Sequence, residues 1–510
     1  MGGKKDKKAQ TGAPEKSEVK EVKPAPQAVE SKKPREPQEW FFNFPNMMFW
    51  AIVLRFGFLA LNEMFSITTD VDYHVYTEGA AELLKQGGNP YSRFTYRYTP
   101  LLAYMMIPNL QLPFFGKILF NLFDLAAIFY MNLFLKNVLE LSTVSRNKAL
   151  AFWALNPFMA YINGRGSCES ISLLLLAMML YHIKLAMDKK AEHFNILLAG
   201  VFYGLLIHFR LYPVIFGLTL YIHINRQRFF PRMNIILFGA VAVAVNAFLI
   251  SFFYQQYGQI FLDECFLYHL KRKDPRHNYS IFWITTVYEY FADPTEILIK
   301  NANLIILAVR LTLIVLVALT FRRNYLYALF IQTFIFTTLN TVYTAQYVIW
   351  EIQLLPYLLI ENDSYSKKKS LGFWLLILLW FVNLEFWTLQ SSKFEHQGEN
   401  SFYLMHGATS LFKQEYLTIT TNAGVKAYSS LSYTDDGPAV MGAISFEGKE
   451  TVSGSRARYK SIHRKAGIAS SSVQDLLQQV HRKNNRQDQS TEDTYWQRNV
   501  AQTYGHIPQS

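Results

Sequence analysis

Met47-Met48-Phe49-Trp50-Ala51-Ile52-Val53-Leu54-Arg55-Phe56-Gly57-Phe58-Leu59-Ala60-Leu61-Asn62-Glu63-Met64-Phe65-Ser66-Ile67 runs directly into Thr68-Thr69-Asp70-Val71-Asp72-Tyr73. The apolar part is long enough for a helix that crosses a hydrocarbon core about 30 Å thick. Arg55 and Glu63 inside it must hide against other helices or water. Two aspartates therefore stand where the chain leaves the bilayer. Further apolar stretches near 115–135, 149–163, 169–187, 195–210, 211–225, 233–254, 302–321, 325–341, 347–361 and 371–389 bring the expected count to about eleven spans. The sequence thus predicts an all-α polytopic membrane protein, with 51% hydrophobic and only 17% charged residues against roughly 25% charged in soluble domains. A soluble globular enzyme is excluded.

The ends differ from this body. Residues 1–46 are rich in Lys, Glu, Pro and Ala, with no apolar core, and read as a disordered cytosolic tail. Residues 391–510 are rich in Ser, Thr, Gln and Gly and read as a low-order extension, apart from a weakly amphipathic stretch from Val473 to Val480. The net charge is +12; the two tails carry +3 and +2, which leaves +7 on the membrane body. Basic loops that fix topology account for much of that excess, and a lipid-phosphate ligand would use the rest. Two cysteines, Cys168 and Cys265, cannot build a disulfide framework.

Positive residues collect in cytosolic loops. With a cytosolic N-terminus, the loops on that face run from Lys136 to Lys148, Lys184 to Lys190, Arg226 to Arg232, Arg322 to Arg323 and Lys367 to Lys369, and all are basic. The luminal face then receives 68–112, 164–168, the break at 209–212, 253–301 and 342–346. Thr69 or Asp70 is a natural N-cap for a helix that Gly87-Gly88 stops. Val75, Tyr76, Ala80, Leu83 and Leu84 share one face of it, so an amphipathic helix is expected to rest on the luminal membrane surface.

A hydroxyl that attacks a sugar needs a carboxylate within hydrogen-bond reach to take its proton. Of Asp70 and Asp72, one can cap the helix while the other acts as base. Arg97 lies between Tyr96 and Tyr98, and a guanidinium is a natural partner of phosphate. Asp124, Arg165, Glu169, His208, Arg210, Glu351 and Glu385 lie within or beside spans, where each needs a partner or a cavity. Several of them approach the luminal face. Lys271 to Arg276, with His277, breaks the positive-inside pattern by placing basic residues in a luminal loop, and Arg276 and His277 would neutralise charge on a phosphate leaving group. Asn278-Tyr279-Ser280 also fits a glycosylation sequon.

Asp70-Val-Asp72-Tyr, Asn89-Pro-Tyr with Tyr96-Arg-Tyr-Thr-Pro-Leu-Leu102, Phe123-Asp-Leu125, Asn156-Pro157 with Arg165-Gly-Ser-Cys-Glu-Ser170, His208-Phe-Arg-Leu-Tyr-Pro213, Asp274-Pro-Arg-His-Asn-Tyr-Ser280 and Gln346-Tyr347 occur in this order. The set resembles the GPI mannosyltransferase I (PIG-M) family over about residues 47–390. Glu351 departs from it, since the family more often has an aromatic residue there. The resemblance implies a GT-C type catalytic bundle in the endoplasmic reticulum membrane with a luminal site. It implies transfer of the first α1-4 mannose from dolichyl-phosphate-mannose to glucosaminyl-phosphatidylinositol, a small single-pass companion subunit, and no nucleic-acid partner. The family's Asp-x-Asp motif falls on Asp70 and Asp72, and Arg97, Arg165, Glu169, His208, Arg210, Arg276, His277, Asn278 and Gln346 are the expected substrate-binding residues. No cofactor is called for: two carboxylates could hold Mg²⁺, but a donor with a single phosphate has no pyrophosphate that demands a metal clamp. Other readings keep the architecture and alter its use. The acceptor could be another lipid-linked sugar such as the N-glycan precursor, or the bundle could serve as a lipid-phosphate transporter or scramblase, or as a scaffold for a partner enzyme.

Overall fold

The computed structural model describes residues 43–65, 69–138, 143–271, 278–283, 285–286, 302–344 and 346–358, with short pieces between 375 and 414. All regular elements among the described residues are helical. In chain order they are α1 (Phe44–Phe65), α2 (Val71–Leu84), a 3-10 turn (Pro90–Ser92), α3 (Pro100–Met105), a 3-10 turn (Ile107–Leu110), α4 (Phe115–Val138), α5 (Thr143–Ala154), α6 (Pro157–Gly164), α7 (Glu169–Met187) and α8 (Glu192–Phe209). There follow a 3-10 turn (Tyr212–Phe216), α9 (Gly217–Ile224), α10 (Met233–Tyr257), α11 (Gln259–Leu262), a π turn (Asp263–Leu267), α12 (Tyr268–Lys271), α13 (Ala302–Thr320), α14 (Tyr325–Thr338), α15 (Tyr347–Ile352) and a 3-10 turn (Leu355–Tyr357).

Five described helices, α1, α4, α7, α8 and α10, are long and apolar enough to cross a membrane, and the segments Tyr212–Ile224, Leu304–Thr320 and Tyr325–Thr338 are apolar but shorter. Two expected spans are broken. The stretch 149–163 divides into α5 and α6 because Pro157 supplies no N–H and the residue before a proline avoids helical geometry. Asn156 caps the new start, its Oδ1 accepting from Phe158 N at 3.0 Å. The stretch 347–361 ends as a helix at Ile352 and turns through Pro356. Within 371–389 the described residues include the helical run 382–389, which continues to 393. Most of the expected C-terminal extension, including 473–480, lies outside the described residues.

Helix α1 buries one stripe, Met47, Ala51, Arg55, Leu59 and Asn62, at helical spacing. Phe49, Trp50, Ile52, Val53 and Leu61 are exposed, as on a helix with protein on one side and lipid on the other. Helix α7 is the most enclosed span; it packs against α4 and α8, and α8 packs against α10. Gly200 and Gly204 set that last crossing. A Cβ at either would lie 2.8 Å from a backbone oxygen of α10, Phe238 O or Ala242 O, so small residues four apart let the two helices approach.

Arg55 answers the charge expected inside the first span. Its Nε donates to Asp124 Oδ2 at 2.5 Å, its Nη1 donates to Ala154 O at 2.7 Å, and Trp153 Nε1 donates to Asp124 Oδ1 at 2.8 Å. Glu63 pairs with Lys117 of α4, which also donates to Thr69 Oγ1 at 3.0 Å. Helix α7 starts at Glu169 and finishes beside Lys184, Lys189 and Lys190, whereas α8 runs the other way to His208 and Arg210. The basic turns and the polar cluster therefore lie at opposite ends of these two helices.

Candidate active site

Asp70 is the N-cap of α2. Its Oδ1 accepts from Asp72 N at 3.1 Å, its Oδ2 accepts from Gln346 Nε2 at 2.7 Å, and its own N–H donates to Arg165 O at 2.9 Å. Its own helix start and two distant stretches thus grip one aspartate, which is 6% exposed. Asp72 is half-buried two residues further on and faces the Tyr98 hydroxyl. Burial and then the nearby Asp72 hold that hydroxyl well above its ordinary pKa, so it stays protonated and donates to the carboxylate.

The loop is held from behind by Tyr73. Its hydroxyl donates to Asn109 Oδ1 at 2.6 Å, and Asn109 in turn accepts from Gly116 N at 3.0 Å and donates to Thr77 Oγ1 at 2.7 Å. The Tyr73 ring lies against Gly166, whose φ of +96° suits glycine, and a Cβ there would come within 2.3 Å of the ring. The turn between α6 and α7 and the start of α2 are consequently fitted to each other. Val75, Tyr76 and Ala80, expected on a face of α2 that rests on the membrane, are instead buried in the protein core, while Leu84 is exposed.

The cationic part of the site is built on Arg210, just past the end of α8. Its Nη2 donates to Glu169 Oε1 at 2.5 Å and its Nε to Glu169 Oε2 at 3.3 Å; Trp350 Nε1 donates to Glu169 Oε2 at 2.6 Å. The Trp350 ring lies between Tyr212 and Tyr347, each centroid 4.2 Å away. Burial opposes the Arg210 charge, but Glu169 beside it keeps the guanidinium protonated, well above its ordinary pKa. The Tyr98 ring lies 5.4 Å from the guanidinium carbon, and Cys168 Sγ lies 3.3 Å from both Nη2 and the Tyr76 hydroxyl. Burial pushes the Cys168 thiol up to about 12. Arg210 Nη1 has no protein hydrogen-bond partner among the described residues, which leaves a donor available to an anion.

His208 is buried, with Nε2 2.8 Å from Thr99 Oγ1. Among the described residues its Nδ1 has no partner. Arg165 makes no ion pair among the described residues, and its guanidinium lies 5.6 Å from the Tyr161 ring. Arg97 goes elsewhere: it pairs with Glu264 and lies 4.2 Å from the Tyr268 ring. Asn278 is buried and accepts from Ser280 N at 2.9 Å and Tyr343 N at 3.3 Å. Glu351 is buried with Thr337 and Tyr343. Arg276 and His277 lie outside the described residues.

The structure therefore brings Asp70, Asp72, Glu169, Arg210 and Gln346 into one region, to which Arg165 contributes its backbone oxygen, places His208 against Thr99, and separates Arg97. Trp350, Cys168 and Tyr76 were not singled out from the sequence as site residues. The aromatic pair Tyr347 and Trp350, three residues apart on one short helix, was the available signal for the first.

Residues 162–420 match the family described as mannosyltransferase (PIG-M). The chain is 35% identical over 353 residues to GPI mannosyltransferase 1 of Saccharomyces cerevisiae, covering 66% of this chain and 82% of the relative. It is 34% identical over 349 residues to GPI mannosyltransferase 1 of Eremothecium gossypii, with 66% and 82% covered. It is 34% identical over 357 residues to the GPI alpha-1,4-mannosyltransferase I catalytic subunit of Danio rerio, with 68% and 86% covered.

Proposed function

This chain belongs to the PIG-M mannosyltransferase family, and on that premise we propose that Asp72 is the general base and Arg210 the principal phosphate contact of its sugar transfer. The protein is a mannosyltransferase of GPI-anchor biosynthesis. In our reading the donor is dolichyl-phosphate-mannose, the acceptor is glucosaminyl-phosphatidylinositol, and the reaction runs at the luminal face of the endoplasmic reticulum membrane. The basic turns at the opposite ends of α7 and α8 support that orientation. Residues 47–390 form the catalytic unit, with a single-pass companion subunit beside it.

A β-linked donor that yields an α product requires one inverting displacement. The 4-hydroxyl of glucosamine attacks the mannose C1, the new C1–O bond forms as the C1–O bond to phosphate breaks, Asp72 takes the hydroxyl proton, and dolichyl phosphate departs with the electron pair. Arg210 stabilises the charge that grows on that phosphate, held in place by Glu169 and Trp350, and Arg165 adds a second cation. Electrostatic stabilisation of this kind is usually the largest catalytic contribution.

One observation carries the division of labour: both oxygens of Asp70 are engaged, by Asp72 N and Gln346, whereas Asp72 is half-buried at Tyr98, whose ring lies 5.4 Å from the Arg210 guanidinium carbon. Asp70 holds the loop and Asp72 moves the proton. In microsomes containing the full chain, Asp72→Asn should lower mannosyl transfer about 10²- to 10⁴-fold, the range for loss of a positioned base. Asp70→Asn should be the milder change, since an amide oxygen can still cap the helix. Normal elongation of glucosaminyl-phosphatidylinositol by the double variant would overturn the assignment.

A further inference from the structure

We propose that Arg310 is a binding site for a lipid-borne phosphate, namely the phosphodiester of the acceptor lipid; this rests on the mannosyltransferase reading above. Arg310 lies about 12 Å along α13, at 1.5 Å per residue, on a helix that is otherwise apolar except for Asn303, Thr312 and Thr320 and largely lipid-facing: Leu304, Leu307, Val309, Leu311 and Leu316 are exposed. A cation at such a depth is expected to have an acidic partner or a functional reason. Arg310 has no carboxylate partner among the described residues. Its Nη1 donates to Asn340 Oδ1 at 3.2 Å, and its guanidinium carbon lies 4.9 Å from the Phe336 ring centroid. It is half-buried, and none of its nitrogens is both buried and without a partner. The guanidinium geometry suits a phosphate, to which it can donate two parallel hydrogen bonds.

Its surroundings lead to the site. Phe336 is 5.9 Å from Tyr212, and Tyr212 stacks at 4.2 Å on Trp350, whose indole holds Glu169 beside Arg210. Asn340 O accepts from Ser280 Oγ, and the segment that follows Asn340 leads to Gln346, the partner of Asp70. The reaction moves mannose between two lipids that each carry a phosphate. One phosphate leaves, and the cluster at Arg210 suits it. The other, in the acceptor, does not react and lies two rings away from the attacking hydroxyl. A second cation on the lipid-facing flank, separated from Arg210 by Phe336, Tyr212 and Trp350, fits that second phosphate.

The test uses the full chain in microsomes with its companion subunit, dolichyl-phosphate-mannose as donor, and two acceptors: glucosaminyl-phosphatidylinositol and glucosaminyl-inositol, which lacks the phosphate. Arg310→Gln should raise KM for the lipid acceptor about tenfold, the scale of a lost hydrogen bond to a charged group, and leave KM for the donor unchanged. Arg310→Lys should recover part of the loss, and glucosaminyl-inositol should be insensitive to either change. Removal of a membrane-embedded cation eases insertion, so a folding defect is not expected. An unchanged acceptor KM, a rise in donor KM instead, or an equal loss with glucosaminyl-inositol would each overturn the proposal. Asp72→Asn, run in parallel, lowers turnover on either acceptor if the catalytic reading holds, so failure of that reading is seen separately.

Discussion

Arg55 and Arg210 each meet a carboxylate that also accepts an indole N–H: Asp124 with Trp153 in one case, Glu169 with Trp350 in the other. The chemistry of the two sets is nearly the same and their surroundings differ. Arg55 and Asp124 are fully buried among α1, α4 and α5, and the backbone oxygens of Ala51 and Ala154 accept from Nη1 of the arginine. Each guanidinium keeps one nitrogen without a partner among the described residues: Nη2 of Arg55, which is buried, and Nη1 of Arg210, which lies past a helix end in a side chain 16% exposed. A closed set holds helices together; a set with one face free can receive an anion. Burial of the guanidinium, rather than the identity of its partners, separates structure from function here.

The largest expected effect is on the closed set. Asp124→Ala strands the Arg55 charge inside the bundle, and loss of one partner of a buried pair costs about 3–5 kcal/mol. The amount of monodisperse protein after mild heating should fall sharply while activity per folded molecule stays the same. A paired change, Arg55→Met with Asp124→Leu, should recover most of it. Full protein levels with lost activity in Asp124→Ala would erase the distinction between the two sets.

Next comes the open set. Arg210→Gln should lower kcat by about 10²- to 10³-fold, as loss of one charge-stabilising donor does, with protein level close to that of the parent. If instead the protein fails to accumulate, Arg210 belongs with Arg55. The tryptophans sharpen the contrast at smaller scale. Trp350→Phe and Trp153→Phe each remove one hydrogen bond to a carboxylate, about 1.5–3 kcal/mol. The first should appear in the rate of mannosyl transfer and the second in thermal stability.

The smallest effect concerns the inner side of Arg210. Burial pushes the Cys168 thiol up to about 12, although Arg210 acts in the opposite direction. A raised pKa keeps the thiol neutral, so thiolate stays scarce from pH 7 to pH 9 and labelling of Cys168 by N-ethylmaleimide should remain slow across that range. An ordinary thiol would be largely thiolate by pH 9, and its labelling would be fast and level off there. Labelling of Cys168 in the folded protein at that fast, levelling rate, measured by peptide mass spectrometry, would show that water reaches behind the guanidinium and that the Arg210 set is open on both sides.

Much of the architecture was legible because lipid imposes a simple rule: every backbone N–H and C=O in the hydrocarbon core needs a partner within the protein, so long apolar stretches become helices. The starts of α1, α4, α7, α10 and α13 follow from apolar length, and the Asp70 cap follows from residue type. The break at Pro157 could have been read from its missing N–H, but the apolar run around it concealed the division. Asp70, Asp72, Glu169, His208 and Arg210 were legible as candidates because an ionisable residue at a span's edge is costly without a purpose. The pairing of Arg97 with Glu264 was not, since Arg97 between two tyrosines looks the same whether its charge meets phosphate or a glutamate far along the chain. Trp350 was missed for a related reason: an aromatic residue in an apolar stretch carries no sign of what its N–H will find.

Residue order alone determined that this chain spans a membrane many times, which turns are basic, and that two aspartates follow the first span, because hydropathy and charge are properties of each segment by itself. Tertiary structure decided which aspartate is tethered, which arginine keeps a free face, and that Gln346, Arg165 and Asp70 meet. Those depend on the distances between segments far apart in the chain, and side-chain electrostatics changes with a few ångströms of separation and with the water each group retains.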